Sequence, residues 1–172
     1  GPPSEDAIEL SRVSDRGIRE SGMIDLSQLV IKEGESVFAV FIDIAIINED
    51  GNLFDACSYA IAAALHGATM PTFKIENDEV VTLEEVKPLP ILSLPISNTF
   101  VKIGDKILLD PNAEEQTICE ARLTLVTDDK GNFVSAQKGK AGGFSFKELN
   151  EMITISKKKG EEIRNKIIKG NE

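Results

Sequence analysis

Tryptophan is absent, tyrosine and histidine occur once each (Tyr59 and His66), and the only cysteines among the 172 residues are Cys57 and Cys119. A single histidine excludes any site within this chain that needs two, which removes zincin motifs and most histidine-built metal centres. The two cysteines lie far apart and match no zinc or redox spacing. Both read as small apolar residues in a reducing, cytosolic setting. No apolar run approaches the ~18–20 residues of a membrane-spanning helix, and residues 1–6 do not read as a signal peptide. Basic charge is also scarce: 19 Lys and Arg stand against 29 Asp and Glu, for a formal net charge of −10. Such a chain is no general binder of nucleic acid or anionic membrane, so any polyanion contact must come from a local basic patch. What remains is a hydrophobic share of 41%, which excludes a wholly disordered chain. The length suits one large or two small domains.

The pattern predicts a first helix over residues 4–21. Ser4 caps it, and Glu5 and Asp6 suit its positive end. Ala7, Leu10, Gly17 and Ile18 share one face at helical spacing. Strands are expected at 28–31 and 36–48. Residues 37–47 are almost continuously apolar, the signature of a central strand buried on both faces. After the polar turn Asn48-Glu49-Asp50-Gly51-Asn52, an alanine-rich helix over 54–66 implies close packing on several faces, with Gly67 in the left-handed position past its end. Short strands at 72–76 and 79–83 follow in a more exposed connection. Further strands are expected at 96–103, 106–110, 120–127 and 132–138, the last two joined by the hairpin turn Asp128-Asp129-Lys130-Gly131. Ser145 and Glu148 form a capping box for a last helix, in which Phe146, Leu149, Ile153, Ser156, Gly160, Ile163 and Ile167 recur at spacings of three and four. No internal repeat is visible. Strands grouped with helices, without strict alternation, make the fold class α+β.

Arg12, Arg16 and Arg19 fall within about 60° of one another on the first helix. They are three of the chain's five arginines. Such a stripe can grip phosphates bidentately, or it can be a solvated face held by Glu9–Arg12 and Asp15–Arg19 pairs. Asp43, inside the apolar run, is an acid or base, or a strand residue bonded to backbone. Asp50-Gly51-Asn52 before a helix is a possible anion cradle, although no Walker lysine or Gly-x-Gly-x-x-Gly accompanies it and Phe54 is apolar. Asp110, Glu114, Glu115 and Glu120 could bind a hard cation, but they match no EF-hand loop and Gln116 and Arg122 are interleaved. Cys57 and Ser58 lack a base nearby, since His66 lies about two turns along the same helix. The basic run Lys157-Lys158-Lys159 with Arg164, Lys166 and Lys169 suits the negative end of the last helix as a solvated face, or as a weak contact for RNA.

Three stretches together carry a resemblance. The first is Gly1-Pro2-Pro3-Ser4-Glu5-Asp6-Ala7-Ile8-Glu9-Leu10 with Arg12-Val13 and Asp15-Arg16-Gly17-Ile18-Arg19. The second is Phe41-Ile42-Asp43 leading to Asp50-Gly51-Asn52-Leu53-Phe54-Asp55-Ala56. The third is Pro88-Leu89-Pro90, Pro95-Ile96, Thr99-Phe100, Lys102-Ile103-Gly104 and Asp110-Pro111. In order and spacing the chain resembles the non-catalytic RNase PH-like subunit of the archaeal exosome over essentially its whole length. The resemblance implies two βα sandwich-type subdomains with mixed sheets packed on helices. Residues 1–70 would be the C-terminal part of the first, similar to the second-domain fold of ribosomal protein S5, and 71–172 the second. It also implies an alternating hexameric ring with a catalytic RNase PH-like subunit, RNA-binding cap subunits, single-stranded RNA as ligand and a cytoplasmic setting.

Catalysis in that family is 3′→5′ phosphorolysis. Active members resemble Gly-Gly-Thr-Arg where this chain reads Gly51, Asn52, Leu53 and Phe54, so the phosphate-gripping arginine is a phenylalanine. They carry two aspartates, six residues apart, where this chain has Gln116 and Arg122. An amide and a cation cannot hold Mg²⁺ or act as general acid. The expectation is no catalytic residue, no metal and no cofactor, with RNA backbone contacts from Arg12 and Arg16 and also Arg19. The rival readings are an RNase PH-type exoribonuclease active in its own right, and a stand-alone domain binding a small ligand in the turn at residues 50–54. Family members have further strands before the Gly-Pro-Pro. The chain is therefore expected to be a fragment lacking that N-terminal segment, with residues 37–47 exposing an unpaired edge or borrowing one from another chain.

Overall fold

The computed structural model describes residues 2–170. Gly1, at the start of the first motif, and residues 171–172, at the end of the expected second subdomain, lie outside the described residues. The first helix, α1 (Glu5–Glu20), starts where Ser4 Oγ accepts a hydrogen bond from the Ala7 amide at 3.2 Å. Its buried residues are Val13 and Gly17, with Leu10 and Ile18 half-buried, while Ala7 is exposed. A short 3₁₀ turn, Leu26–Leu29, leads into a two-stranded antiparallel pair, β1 (Val30–Lys32) and β2 (Ser36–Val37).

The expected central strand does not form. Residues 38–48 have no regular structure, and Phe41 and Ile47 are 86% and 99% exposed. Phe38 N–H still donates to Leu29 O at 2.7 Å, and its ring lies 6.0 Å from that of Phe73. Beyond it, no strand among the described residues runs alongside to take the backbone hydrogen bonds. β-propensity describes fit to a neighbour, so an apolar run without one forms no strand, and beyond Val40 it is exposed. Asp43 is accordingly exposed rather than buried.

Helix α2 (Leu53–His66) buries Phe54, Asp55, Cys57, Ile61, Ala62 and Leu65. Only one of its alanines, Ala62, is buried, and Ala56, Ala60 and Ala64 face solvent. Close packing is therefore confined to one face. Gly67 has φ −90°, so the helix ends without using a left-handed residue. A hairpin longer than expected follows, β3 (Thr69–Glu76) and β4 (Glu79–Pro88). Its turn is Asn77-Asp78, with φ 50° and 70°. These residue types tolerate the positive φ that a two-residue hairpin loop needs.

The remaining strands form one antiparallel sheet in the order β6-β5-β7-β8: β5 (Ile96–Ile103), β6 (Lys106–Leu109), β7 (Ala121–Thr127) and β8 (Phe133–Gly139). Between β6 and β7 lies α3 (Ala113–Ile118), a short helix that periodicity did not indicate; Asn112 and Glu115 give it a complete capping box. The last helix, α4 (Phe146–Gly170), lies across β5 and β7 and starts with the expected Ser145–Glu148 box. Its buried stripe is Met152, Ser156, Gly160 and Arg164, at a spacing of four. Ser156 and Gly160 of the expected face are buried and Leu149, Ile163 and Ile167 pack against the core, but Phe146 is 87% exposed and Ile153 is also exposed, with Met152 and Arg164 completing the buried stripe instead. One core cluster joins Met23, Ile61, Leu65 and Met70 to Leu89, Leu94 and Ile96, with Ile163 and Ile167 against it. A second joins Phe100, Leu123, Leu125 and Met152. The architecture is α+β, with helices α1, α2 and α4 packed on the four-stranded sheet.

Candidate functional site

On α1, Arg12 and Arg19 are exposed and Arg16 is half-buried. The Asp15–Arg19 pair expected at i,i+4 is present: Arg19 Nε donates to both Asp15 carboxylate oxygens at 2.9 and 3.1 Å. The Glu9–Arg12 pair is not. Glu9 Oε1 instead accepts from Arg122 Nη2 at 2.6 Å and from Gln137 Nε2 at 3.1 Å. Gln137 Oε1 in turn accepts from Arg16 Nη1 at 3.5 Å. Arg12 makes no hydrogen bond or ion pair among the described residues, so its guanidinium is free for a ligand.

The turn before α2 lies beside this face. Gly51 has φ +86°, and a Cβ there would sit 2.5 Å from the Asn112 carbonyl carbon and 2.7 Å from Ala113 N. Only glycine fits against the loop that opens α3. Asn52, itself left-handed at φ 47°, donates its backbone N–H to Gln116 Oε1. Its side-chain amide donates to Asp55 Oδ2 at 2.8 Å and to Asp110 Oδ1 at 2.6 Å. The turn, a possible anion cradle from sequence, is thus closed by the chain's own groups.

Asp55 was not singled out from sequence as a site residue; the one local signal is its place in the first turn of α2, three residues after Asn52. It is 2% exposed and accepts from the Thr99 amide and hydroxyl, each at 2.8 Å. Burial pushes its pKa up to about 6, against the hydrogen bonds from Asn52 and Thr99 that favour the charged form. Burial raises the neighbouring Tyr59 phenol too, helped by Asp55 and Asp110.

Phe54 is buried, and the Arg122 guanidinium stacks on its ring at 4.4 Å. Gly139 of β8 lets the guanidinium lie flat there, since a Cβ would come within 2.6 Å of Arg122 Nη2. Phe54, Gln116 and Arg122, the three departures from the active pattern, are therefore all engaged in internal contacts. The acidic stretch is dispersed. Glu115 belongs to the α3 cap, Glu120 Oε1 accepts from Gly104 N at 3.1 Å, and Asp110 binds Asn52. Among the described residues no group of three His, Cys, Asp or Glu could hold a metal ion. Burial raises the Cys57 thiol, and Ser58 Oγ accepts from the Ser97 amide at 3.0 Å, so neither is an activated nucleophile. In the C-terminal basic run, Arg164 turns inward to donate to Thr127 O at 2.9 Å. It does not belong to the solvated face on which it was expected.

Residues 1–71 match domain 1 of the 3′ exoribonuclease family, and residues 93–159 match domain 2. The chain belongs to the 3′ exoribonuclease family. It is 45% identical over 171 residues to the exosome complex component Rrp42 of Thermococcus kodakarensis, an alignment covering 98% of this chain and 63% of that protein. The same component of Methanopyrus kandleri is 46% identical over 165 residues, covering 95% of this chain and 62% of that one. The chain thus spans somewhat under two thirds of the length of these relatives. Among solved structures, a chain of the Archaeoglobus fulgidus exosome with RNA bound to the active site superposes with a TM-score of 0.85 at 42% identity, covering 96% of this chain and 63% of that one. Rice Rrp46, at 14% identity and a TM-score of 0.65, shares the fold. No helix among the described residues is long and apolar enough to cross a membrane.

Proposed function

We propose that this chain is part of the non-catalytic, ring-forming subunit of an archaeal RNA-degrading exosome. It alternates in a hexameric ring with a catalytic RNase PH-like subunit, beneath RNA-binding cap subunits, in the cytoplasm. Residues 1–70 and 71–172 are its shares of the two RNase PH-like subdomains. The observation that carries this reading is the internal use of Phe54, Gln116 and Arg122. A phenylalanine under a guanidinium cannot grip inorganic phosphate. An amide bonded to the Asn52 backbone and an arginine paired with Glu9 cannot supply the two carboxylates. The role left to this subunit is to shape its partner's site and hold single-stranded RNA.

The holding surface is the α1 stripe. Arg12 has no partner among the described residues, Arg16 has one long hydrogen bond to an amide, and Arg19 is exposed beside Asp15. No aromatic platform is evident beside them among the described residues, so the contacts are to the backbone and independent of base sequence. The test is binding of a labelled single-stranded oligoadenylate by the chain mixed with its catalytic partner, over a salt series. Each phosphate contact contributes about −0.7 to the slope of log K against log salt. Arg12→Glu with Arg16→Glu should flatten the slope by about 1.4. An unchanged slope would remove these arginines from the interface.

A further inference from the structure

Glu9 also belongs to the α1 stripe, but its partner is not Arg12. At helical spacing it falls within about 20° of Arg16 and 60° of Arg12. A bare carboxylate there would oppose any phosphate the arginines attract and would compete for their guanidiniums. It is not bare. Arg122 comes across from β7, 113 positions away in sequence, and places Nη2 2.6 Å from Glu9 Oε1. The two side chains are 13% and 30% exposed, so the pair is shielded from the solvent that weakens ordinary surface ion pairs. Phe54 supports the guanidinium from below at 4.4 Å, and Gly139 leaves room for it. Gln137 donates to the same Glu9 oxygen at 3.1 Å and accepts from Arg16, so the neutralised carboxylate is also tied to the arginine.

We infer that Arg122 is a positioning residue for anion binding: it neutralises Glu9 and so keeps the Arg12–Arg16 face attractive to RNA phosphate. This rests on the RNA-gripping reading of α1 and deepens it. Arg122 need not touch RNA; it acts through Glu9. In the active members it resembles, the corresponding position is a carboxylate. The substitution therefore both removes a catalytic group and supplies the counter-charge.

The test is a charge-reversal cycle read by oligoadenylate affinity at low salt, with the chain mixed with its catalytic partner. Arg122→Gln exposes the Glu9 charge and should weaken binding about fivefold, the scale of one added like charge near a screened phosphate. Adding Glu9→Gln to that variant should restore affinity to within about twofold of the parent. Glu9→Gln alone should tighten binding, and Glu161→Gln, an exposed change on α4 outside this network, should do neither. If the double variant stays as weak as Arg122→Gln, Arg122 is only a structural brace and the inference fails. Unchanged or weaker binding by Glu9→Gln overturns it as well, which keeps it testable should Arg122→Gln not fold. If Arg12→Glu with Arg16→Glu binds RNA like the parent, the gripping face itself is the error. If that variant loses binding while Arg122→Gln does not, only the role of Arg122 is wrong.

Discussion

Asp55 should make this protein more stable in mild acid than at neutrality, against the usual behaviour of paired carboxylates. Its carboxyl is almost wholly buried between α2 and β5, and its pKa is raised from 3.8 to about 6. In the unfolded chain it titrates near the lower value. Between those values the folded state therefore binds more protons than the unfolded state, and stability falls as pH rises. The stabilisation is complete below about pH 4 and is lost as pH rises through about 6. Its size is the pKa difference of about two units at about 1.4 kcal/mol each, or about 3 kcal/mol. Glu148 beside Lys102 and Glu162 beside Lys159 run the other way: both are held below the ordinary carboxylate value, so their contribution is lost as pH falls. The Asp55 part is isolated by difference. Urea unfolding of the parent and of Asp55→Asn would be measured at intervals from pH 4 to 7. The parent's stability relative to the variant should drop by about 3 kcal/mol across that range. A flat difference, or one that grows with pH, would show that the three donors from Asn52 and Thr99 outweigh burial, and that the carboxylate is charged at all these values.

Other expectations are local. Gly51→Ala would force a Cβ into the backbone at Asn112 and Ala113 from a left-handed position, and should destabilise by about 2–4 kcal/mol in a denaturant melt. Gly160→Ala would press on the Thr127 hydroxyl and on Arg164 Nη2, 3.2 Å away, and should destabilise by about 1–3 kcal/mol. Asp15→Ala breaks a pair whose side chains are 68% and 54% exposed, so thermal unfolding should shift by the equivalent of less than about 1 kcal/mol. Because it also frees Arg19, RNA affinity at low salt should rise slightly.

The legible part of the fold was the part written in short-range signals. Ser4 caps α1, Ser145 and Glu148 open α4, and the turn before β8 lies where Asp128 to Gly131 placed it. Residues 37–47 show the limit of that reading. Their apolar content describes a strand that wants neighbours, but a strand exists only if another backbone lies beside it. The α4 face was legible at Ser156 and Gly160 but not at Arg164, which reads as a surface charge although it is buried against the Thr127 and Leu94 carbonyls. The candidate site was half legible. Helical spacing alone brought Arg12, Arg16 and Arg19 to one face. The motif comparison flagged Phe54, Gln116 and Arg122 as departures. That Arg122 would pair with Glu9 rather than with the acidic stretch around it could not be read from sequence. The contact joins residues 113 positions apart and depends on how α1 docks beside β7 and β8. Asp55 escaped notice for the same reason, since Thr99 reaches it, and Asn52 links it to Asp110, only in the folded protein.

On the proposed function, this chain contributes RNA grip and shape but no chemistry. Phosphate-dependent decay of a labelled single-stranded RNA tests it most directly, with three reactions: this chain alone, the catalytic RNase PH-like partner alone, and the two mixed. Nucleoside diphosphate release is expected only in the mixture, reduced when Arg12 and Arg16 are replaced by glutamate. Decay by this chain alone would contradict it, because Phe54, Gln116 and Arg122 would then stand where a working phosphate grip and acid must be.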